Sequence, residues 1–165
     1  MSMDMSEFEN YLNKLERAQQ TYDSFLRKFL LEMGLRTLRQ TKKLTPVDVG
    51  DLRRRWELSE VKRQGNDLII EMINPMEYAS FVEDGHMQRK RFLPLKYLEE
   101  GSPKSQQIAN SILAKYGEES EGIMLKDKWI PGKHMARISI SKMEREIPKR
   151  YERAFNEFLK GLEVN

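Results

Sequence analysis

From Ser6 to about Thr41 the apolar residues recur at steps of three and four: Phe8, Tyr11 and Leu12, Leu15, Ala18, Tyr22, Phe25 and Leu26, Phe29 and Leu30, then Met33. That period draws one apolar stripe along an α-helix. Ser6, followed three positions later by Glu9, fits a capping box at its start. Gly34 interrupts the stripe before Leu35 and Leu38 resume it, which predicts a soft point there. A lone packed helix of this length would leave its outer turns uncovered, so it should lie across a sheet or against other subunits. Pro46 fixes its own φ and biases Thr45 to an extended form, so the helix should end before it. Beyond the turn marked by Pro46 and Gly50, residues 56–63 (WELSEVKR) alternate loosely, with Trp56, Leu58 and Val61 inward. Gln64-Gly65-Asn66 is a turn signal and 67–73 (DLIIEMI) reads as the returning strand, closed by Asn74-Pro75. Tyr78–Val82 is a short apolar piece ended by Asp84-Gly85.

Residues 86–128 read as an insertion. Gly101-Ser102-Pro103 precedes a helical pattern through Ile108, Ile112, Leu113 and Tyr116 that Gly117 ends. A polar run follows, and 123–130 is predicted to be one further strand. With few apolar anchors, 87–128 is expected to be mobile in the free subunit and fixed on assembly. From Met135 the helical period returns through Met143, Ile147, Tyr151, Ala154, Phe155, Phe158 and Leu162, and Pro148 predicts a kink or a restart. The predicted class is α+β: a single domain over 1–165 whose long N-terminal and C-terminal helices pack on one face of a small antiparallel sheet. Its parts are the 6–41 helix, a corner plus hairpin over 44–86, the charged insertion 87–128, and a final strand and helix over 129–165.

Composition narrows the chemistry. The 165 residues suit one ordinary domain, and a 39% hydrophobic content is enough for a core. The absence of cysteine removes disulfides, thiol catalysis and cysteine-based metal sites. Asp4, Glu7 and Glu9 stand where a secretory signal needs a basic region, and no run approaches the roughly 18 apolar residues of a membrane span. A soluble protein made in a cytoplasm, with no membrane partner, is therefore expected. The net charge is only +3, yet 36–55 holds seven bases (Arg36, Arg39, Lys42, Lys43, Arg53, Arg54, Arg55) against Asp48 and Asp51. Arg89, Lys90, Arg91 and Lys96 form a second basic knot. Clusters of this kind are usually solvated surface, but they can also meet phosphate or an acidic partner.

No catalytic, cofactor or metal residue can be nominated. The two histidines, His86 and His134, would need carboxylates such as Glu83 or Asp84 to converge on them before they could hold a metal. Neither a nucleophile elbow nor a phosphate loop occurs. Asp48 followed by Glu60-Val61-Lys62 imitates a metal-dependent nuclease, in which carboxylates hold Mg²⁺ and a lysine positions water. Here, however, Asp48 falls in a Pro/Gly turn. In the run Leu44–Trp56, Gly50 supplies backbone freedom, Asp48 or Asp51 can accept backbone N–H bonds, and Trp56 brings a large apolar surface to the strand. This reads as a stiff helix-to-sheet corner.

That run (LTPVDVGDLRRRW), the hairpin, the later Tyr78-Ala79-Ser80-Phe81-Val82-Glu83-Asp84-Gly85-His86 and the still later Pro131-Gly132-Lys133-His134-Met135 together resemble the head–tail joining and tail-component proteins of long-tailed bacteriophages and prophages. Val49 stands where that family usually has Thr, and 87–128 is unlike a short family loop. The resemblance implies a small, non-enzymatic α+β subunit of the virion neck, assembled in the host bacterial cytoplasm. It implies a ring of like subunits, contacts with neighbouring head-connector and tail proteins, and basic residues that tolerate DNA in the lumen. No cofactor is implied. Structural or interface residues would be Pro46, Asp48, Gly50, Leu52, Arg53, Trp56, Tyr78, Glu83, Gly85, His86, Gly132 and His134. The competing class is a basic nucleic-acid-binding module using Arg53–Arg55, Arg89–Arg91 and the cations of the last helix. Against it, the aromatics sit at core spacing on helices, and a pI of about 9.0 only reaches the edge of that footprint.

Overall fold

The computed structural model describes residues 5–117 and 119–163. The N-terminal apolar period becomes one helix, α1 (Met5–Leu44), which runs through Gly34 without a break. The remaining elements, in chain order, are α2 (Asp51–Arg54), β1 (Glu57–Leu58), β2 (Lys62–Gln64), β3 (Asp67–Ile69) and β4 (Met72–Ile73), then α3 (Ala79–Asp84), β5 (Gly85–Gln88), β6 (Arg91–Pro94) and α4 (Leu95–Glu99), and last α5 (Pro103–Tyr116), β7 (Gly122–Leu125), β8 (Lys128–Pro131) and α6 (Met135–Glu163). The protein is α+β, with long first and last helices and, among the described residues, four two-stranded ladders in place of one small sheet. No helix among the described residues is long and apolar enough to cross a membrane. The chain divides into two compact units, one made of 1–37, 58–72 and 140–165, the other of 38–57 and 73–139.

In the first unit, rings spaced three or four residues apart on α1 and α6 interlock. Phe25 stacks on Phe158 with centroids 4.7 Å apart, Phe29 meets Tyr151 edge-on at 5.5 Å, and the Tyr22 and Tyr151 hydroxyls lie 2.8 Å apart. Such ring pairs add about 0.5–1.5 kcal/mol each beyond the area they bury. Farther along α1 the hairpin takes over as partner. A Cβ on Gly34 would lie 2.9 Å from Ile70 Cδ1 and 3.2 Å from Leu58 Cδ1. The glycine therefore marks a close approach by hairpin side chains. Asp23 pairs with both Arg27 and Arg63 of β2, and Arg27 also donates to the Val61 carbonyl at 3.2 Å.

The expected strands 56–63 and 67–73 are each split in two. β2 and β3 pair from Lys62 opposite Ile69 to Gln64 opposite Asp67, around the predicted Gly65-Asn66 turn. Between that ladder and the β1–β4 pair, Ser59 N–H still donates to the Glu71 carbonyl at 2.9 Å, but Glu71 N–H donates to Ser59 Oγ at 2.9 Å. A side-chain oxygen has replaced a backbone acceptor, and the ladder breaks there. α6 is one helix with Pro148 inside it, so of the two expectations, a kink or a restart, the restart does not occur.

In the second unit the stretch read as an insertion has a core of its own. Leu95 and Leu98 of α4 pack with Ala109 and Ile112 of α5, and Leu93, Leu113 and Ile123 lie against them. The α5 start follows the sequence reading, with Pro103 in the first turn and Ser102 Oγ accepting the Ser105 N–H at 3.3 Å. The single strand expected over 123–130 is instead β7 and β8, which pair with different partners. β5 pairs with β8 from Gly85 opposite Pro131 to Gln88 opposite Lys128, and β6 pairs with β7 from Arg91 opposite Leu125 to Pro94 opposite Gly122. The register is the same in both, so the two ladders form one ribbon with a break at its middle. At that break Asp127 Oδ1 accepts the Lys90 N–H at 2.6 Å, and Gln88 Nε2 donates to the Lys126 carbonyl at 3.0 Å.

Candidate functional site

The first amides of a helix have no intrahelical acceptor and need one from outside. At α6 that acceptor is Glu83, at the end of α3. Its carboxylate accepts from Ala136 N–H at 3.1 Å and from Arg137 N–H at 3.0 Å. The backbone continues the clasp: the Val82 and Glu83 carbonyls accept from Lys133 N–H at 2.8 Å and His134 N–H at 3.0 Å. His134 has φ 50°, which turns the chain into the helix, and Arg137 pairs with Asp84 at 3.2 Å. A carboxylate here also faces the positive end of the helix dipole.

The two glycines permit this approach. A Cβ on Gly132 would stand 2.3 Å from the Glu83 carbonyl oxygen, and one on Gly85 would stand 2.6 Å from that of Ile130. Both obstacles are backbone, which cannot step aside. Gly85 also has φ 87°, where side chains are strained. His86 follows, its ring 5.6 Å from Phe81, and the Nδ1 atoms of His86 and His134 are buried without a hydrogen-bond partner among the described residues. Glu83, Gly85, His86, Gly132 and His134, which the sequence offers as two separate motifs, therefore form one structure. Tyr78 precedes α3 and is exposed.

The 44–56 corner is built differently from expectation. Thr45 is buried and its hydroxyl donates back to the Thr41 carbonyl at 2.7 Å. Gly50, at φ 89°, precedes α2, which has no side-chain cap. Among the described residues neither predicted Asp acceptor is seen to bond the backbone: Asp51 pairs with Arg54 at 2.6 Å, and Asp48 is exposed. The corner is held instead by side-chain donors on its carbonyls. Arg53 reaches Thr45 O (3.2 Å), Lys104 reaches Val47 O (2.6 Å), Arg54 reaches Val49 O (3.2 Å) and Asn74 reaches Leu52 O (2.8 Å). Asn74 and Lys104 carry no local signal of this role, since each acts far from its own position in the chain. Pro46 is exposed, while Leu52 and Trp56 are buried, Trp56 with its indole N–H unpartnered among the described residues.

For catalysis the arrangement offers little. Among the described residues no three His, Asp or Glu side chains gather as metal ligands. Asp48 lies in a bend and Glu60 between strands, both exposed, so neither has the strand context of the nuclease pattern. What the surface does offer is apolar. Met87 and Trp129 are cross-strand neighbours and more than half exposed, and Phe92 and Met124 form a second exposed pair on the ribbon. Phe8, Tyr11, Leu12 and Leu15 leave the α1 stripe exposed near its start.

Residues 6–85 match a family model described as "Bacteriophage HK97-gp10, putative tail-component". The match covers the corner, the hairpin and the segment carrying Tyr78, Glu83 and Gly85, and so meets the resemblance seen in those residues. No curated protein and no solved structure gives a significant match.

Proposed function

We propose that the protein is a structural, non-enzymatic component of the tail of a long-tailed phage, placed where tail and head join. It is present in the virion after assembly in the host cytoplasm. The observation that carries this reading is the tail-component match over 6–85, which spans the corner and the first half of the clasp. The exposed apolar faces support it. Such faces on the α1 start and on the 85–131 ribbon are costly to leave in water and are covered when subunits meet. Head-to-tail contacts between unlike patches of identical subunits close into a ring, with neighbouring connector and tail proteins above and below. The clasp contributes by rigidity, holding the base of the ribbon against the start of α6.

Mass analysis of purified particles tests the reading. The protein should be present in fixed proportion to the tail proteins, and its absence from finished particles would contradict it. The nuclease alternative has its own signature, Mg²⁺-dependent DNA cleavage lost on Glu60→Ala, and none is expected.

A further inference from the structure

On α6 the cations fall on one line. Lys142, Arg145, Lys149, Arg153 and Lys160 are separated by steps of three, four, four and seven residues and all are exposed. At 3.6 residues per turn these steps confine them to an arc of roughly 80° along roughly 27 Å of helix. The acids of the same stretch, Glu144, Glu146, Glu152 and Glu157, all fall outside that arc. Arg36 of α1 faces the same cleft as Arg145, Lys149 and Arg153, a space that Glu32, Glu146 and Glu157 also line.

Two nearby acids form ion pairs with cations outside the stripe. Glu32 holds Arg36 at 2.7 Å and Glu146 holds Arg150 at 2.6 Å. The Arg150 hydrogen bond keeps the Glu146 carboxyl ionised, below its ordinary pKa. Lys142, Lys149, Arg153 and Lys160 have no ion pair among the described residues, and Arg145 bonds only the Ser141 carbonyl, at 3.1 Å.

We infer that this stripe is a contact for the phosphate backbone of double-stranded DNA, made without reading sequence. The inference rests on the tail reading above and names the residues through which DNA would be met. A line of a single sign fits a ligand of the opposite single sign along its length, and a duplex carries one charge per roughly 1.7 Å of axis. The stripe also lacks a means of reading bases, because phosphate contacts position a protein while base-edge contacts specify sequence. Single strands are disfavoured for a geometric reason. Tyr151, Phe155 and Phe158, the α6 rings that could stack on bases, lie on the opposite face, packed against Tyr22 and Phe25.

Fluorescence anisotropy of the full-length protein with two duplexes of unrelated sequence tests this. Both should bind alike, with log K falling against log salt at a slope of about −4, as four to five neutralised phosphates require. Lys149→Gln with Arg153→Gln should weaken binding on the order of tenfold or more and lower the slope by about 2. Lys126→Gln with Lys128→Gln, which removes equal charge from the ribbon, should stay within about twofold. The conservative pair Lys149→Arg with Arg153→Lys should bind like wild type, showing that charge and not shape is at issue. Four results would overturn the inference: no salt-dependent duplex binding, equal loss in both Gln pairs, tighter binding to single strands, or a stripe variant that binds duplex normally yet fails to enter particles. The last would assign the stripe to an acidic protein partner. Wild-type protein that enters particles but binds no duplex defeats this inference alone, whereas absence from particles defeats the tail reading.

Discussion

Glu83 caps a helix that begins about fifty residues farther along the chain, so its two hydrogen bonds tie α3 to α6 as well as satisfying amides. Glu83→Ala should lower stability by about 0.5–2 kcal/mol, the range for a lost cap, and Glu83→Gln by less because one acceptor remains. Denaturant midpoints decide, and three equal midpoints would mean that the clasp is held by backbone alone. Trp56 sits 6% exposed where the corner meets β1. Trp56→Ala should cost about 3–5 kcal/mol as a large-to-small core change, and an unchanged midpoint would place the ring in an interface instead. These two residues differ in how far the sequence discloses them. A tryptophan after a turn declares a buried surface by its size. A glutamate in an Asp/Gly-rich segment does not declare which distant amides it will meet, and neither Gly85 nor Gly132 reveals that the other's backbone stands in the place of its Cβ.

Elements with a long local period were legible and elements made by distant pairing were not. α1 and α6 follow from apolar steps of three and four, and α5 from its Ser-Pro start and Gly end. The ribbon pairs 85–94 with 122–131 across two intervening helices, so no turn signal joins its strands. Ser59 broke the hairpin because its hydroxyl could take a ladder bond, which alternation alone does not show. The interlock of α1 and α6 has a titratable mark. Tyr151 is held above the ordinary tyrosine pKa, first by its hydrogen bond to the Tyr22 hydroxyl and then by burial. A raised folded value means that the unfolded chain loses its proton first, near pH 10. The stability this bond adds is therefore full below about pH 10 and is lost as pH rises through the folded value. Phenolate absorbance should show Tyr22→Phe returning Tyr151 toward its ordinary range, and no change would dissociate the two hydroxyls. For 87–128 the expectation of mobility in the free subunit meets a segment with its own apolar cluster. Amide exchange separates the two. Protection confined to α5 in the free chain and spreading on assembly supports mobility, and uniform slow exchange through 87–103 contradicts it.

At the largest scale, tightly approached backbone corners coexist with uncovered apolar surfaces. The corner and clasp use side-chain hydrogen bonds to backbone groups and close backbone approaches, and no three His, Asp or Glu side chains gather as metal ligands among the described residues. The exposed apolar pairs of the ribbon and the bare start of α1 are features that assembly would cover. A sequence reveals such faces only in part, because exposure depends on what packs where. Met87 and Trp129 give no sign that they are neighbours until the ribbon register is known. Electron microscopy of particles made by a phage or prophage lacking this protein tests its place at the junction of head and tail. DNA-filled heads lying apart from tails, or joined to them defectively, and whole virions restored by the wild-type chain, are the predicted result. Normal virions, or heads left empty because DNA was not packaged, would contradict it.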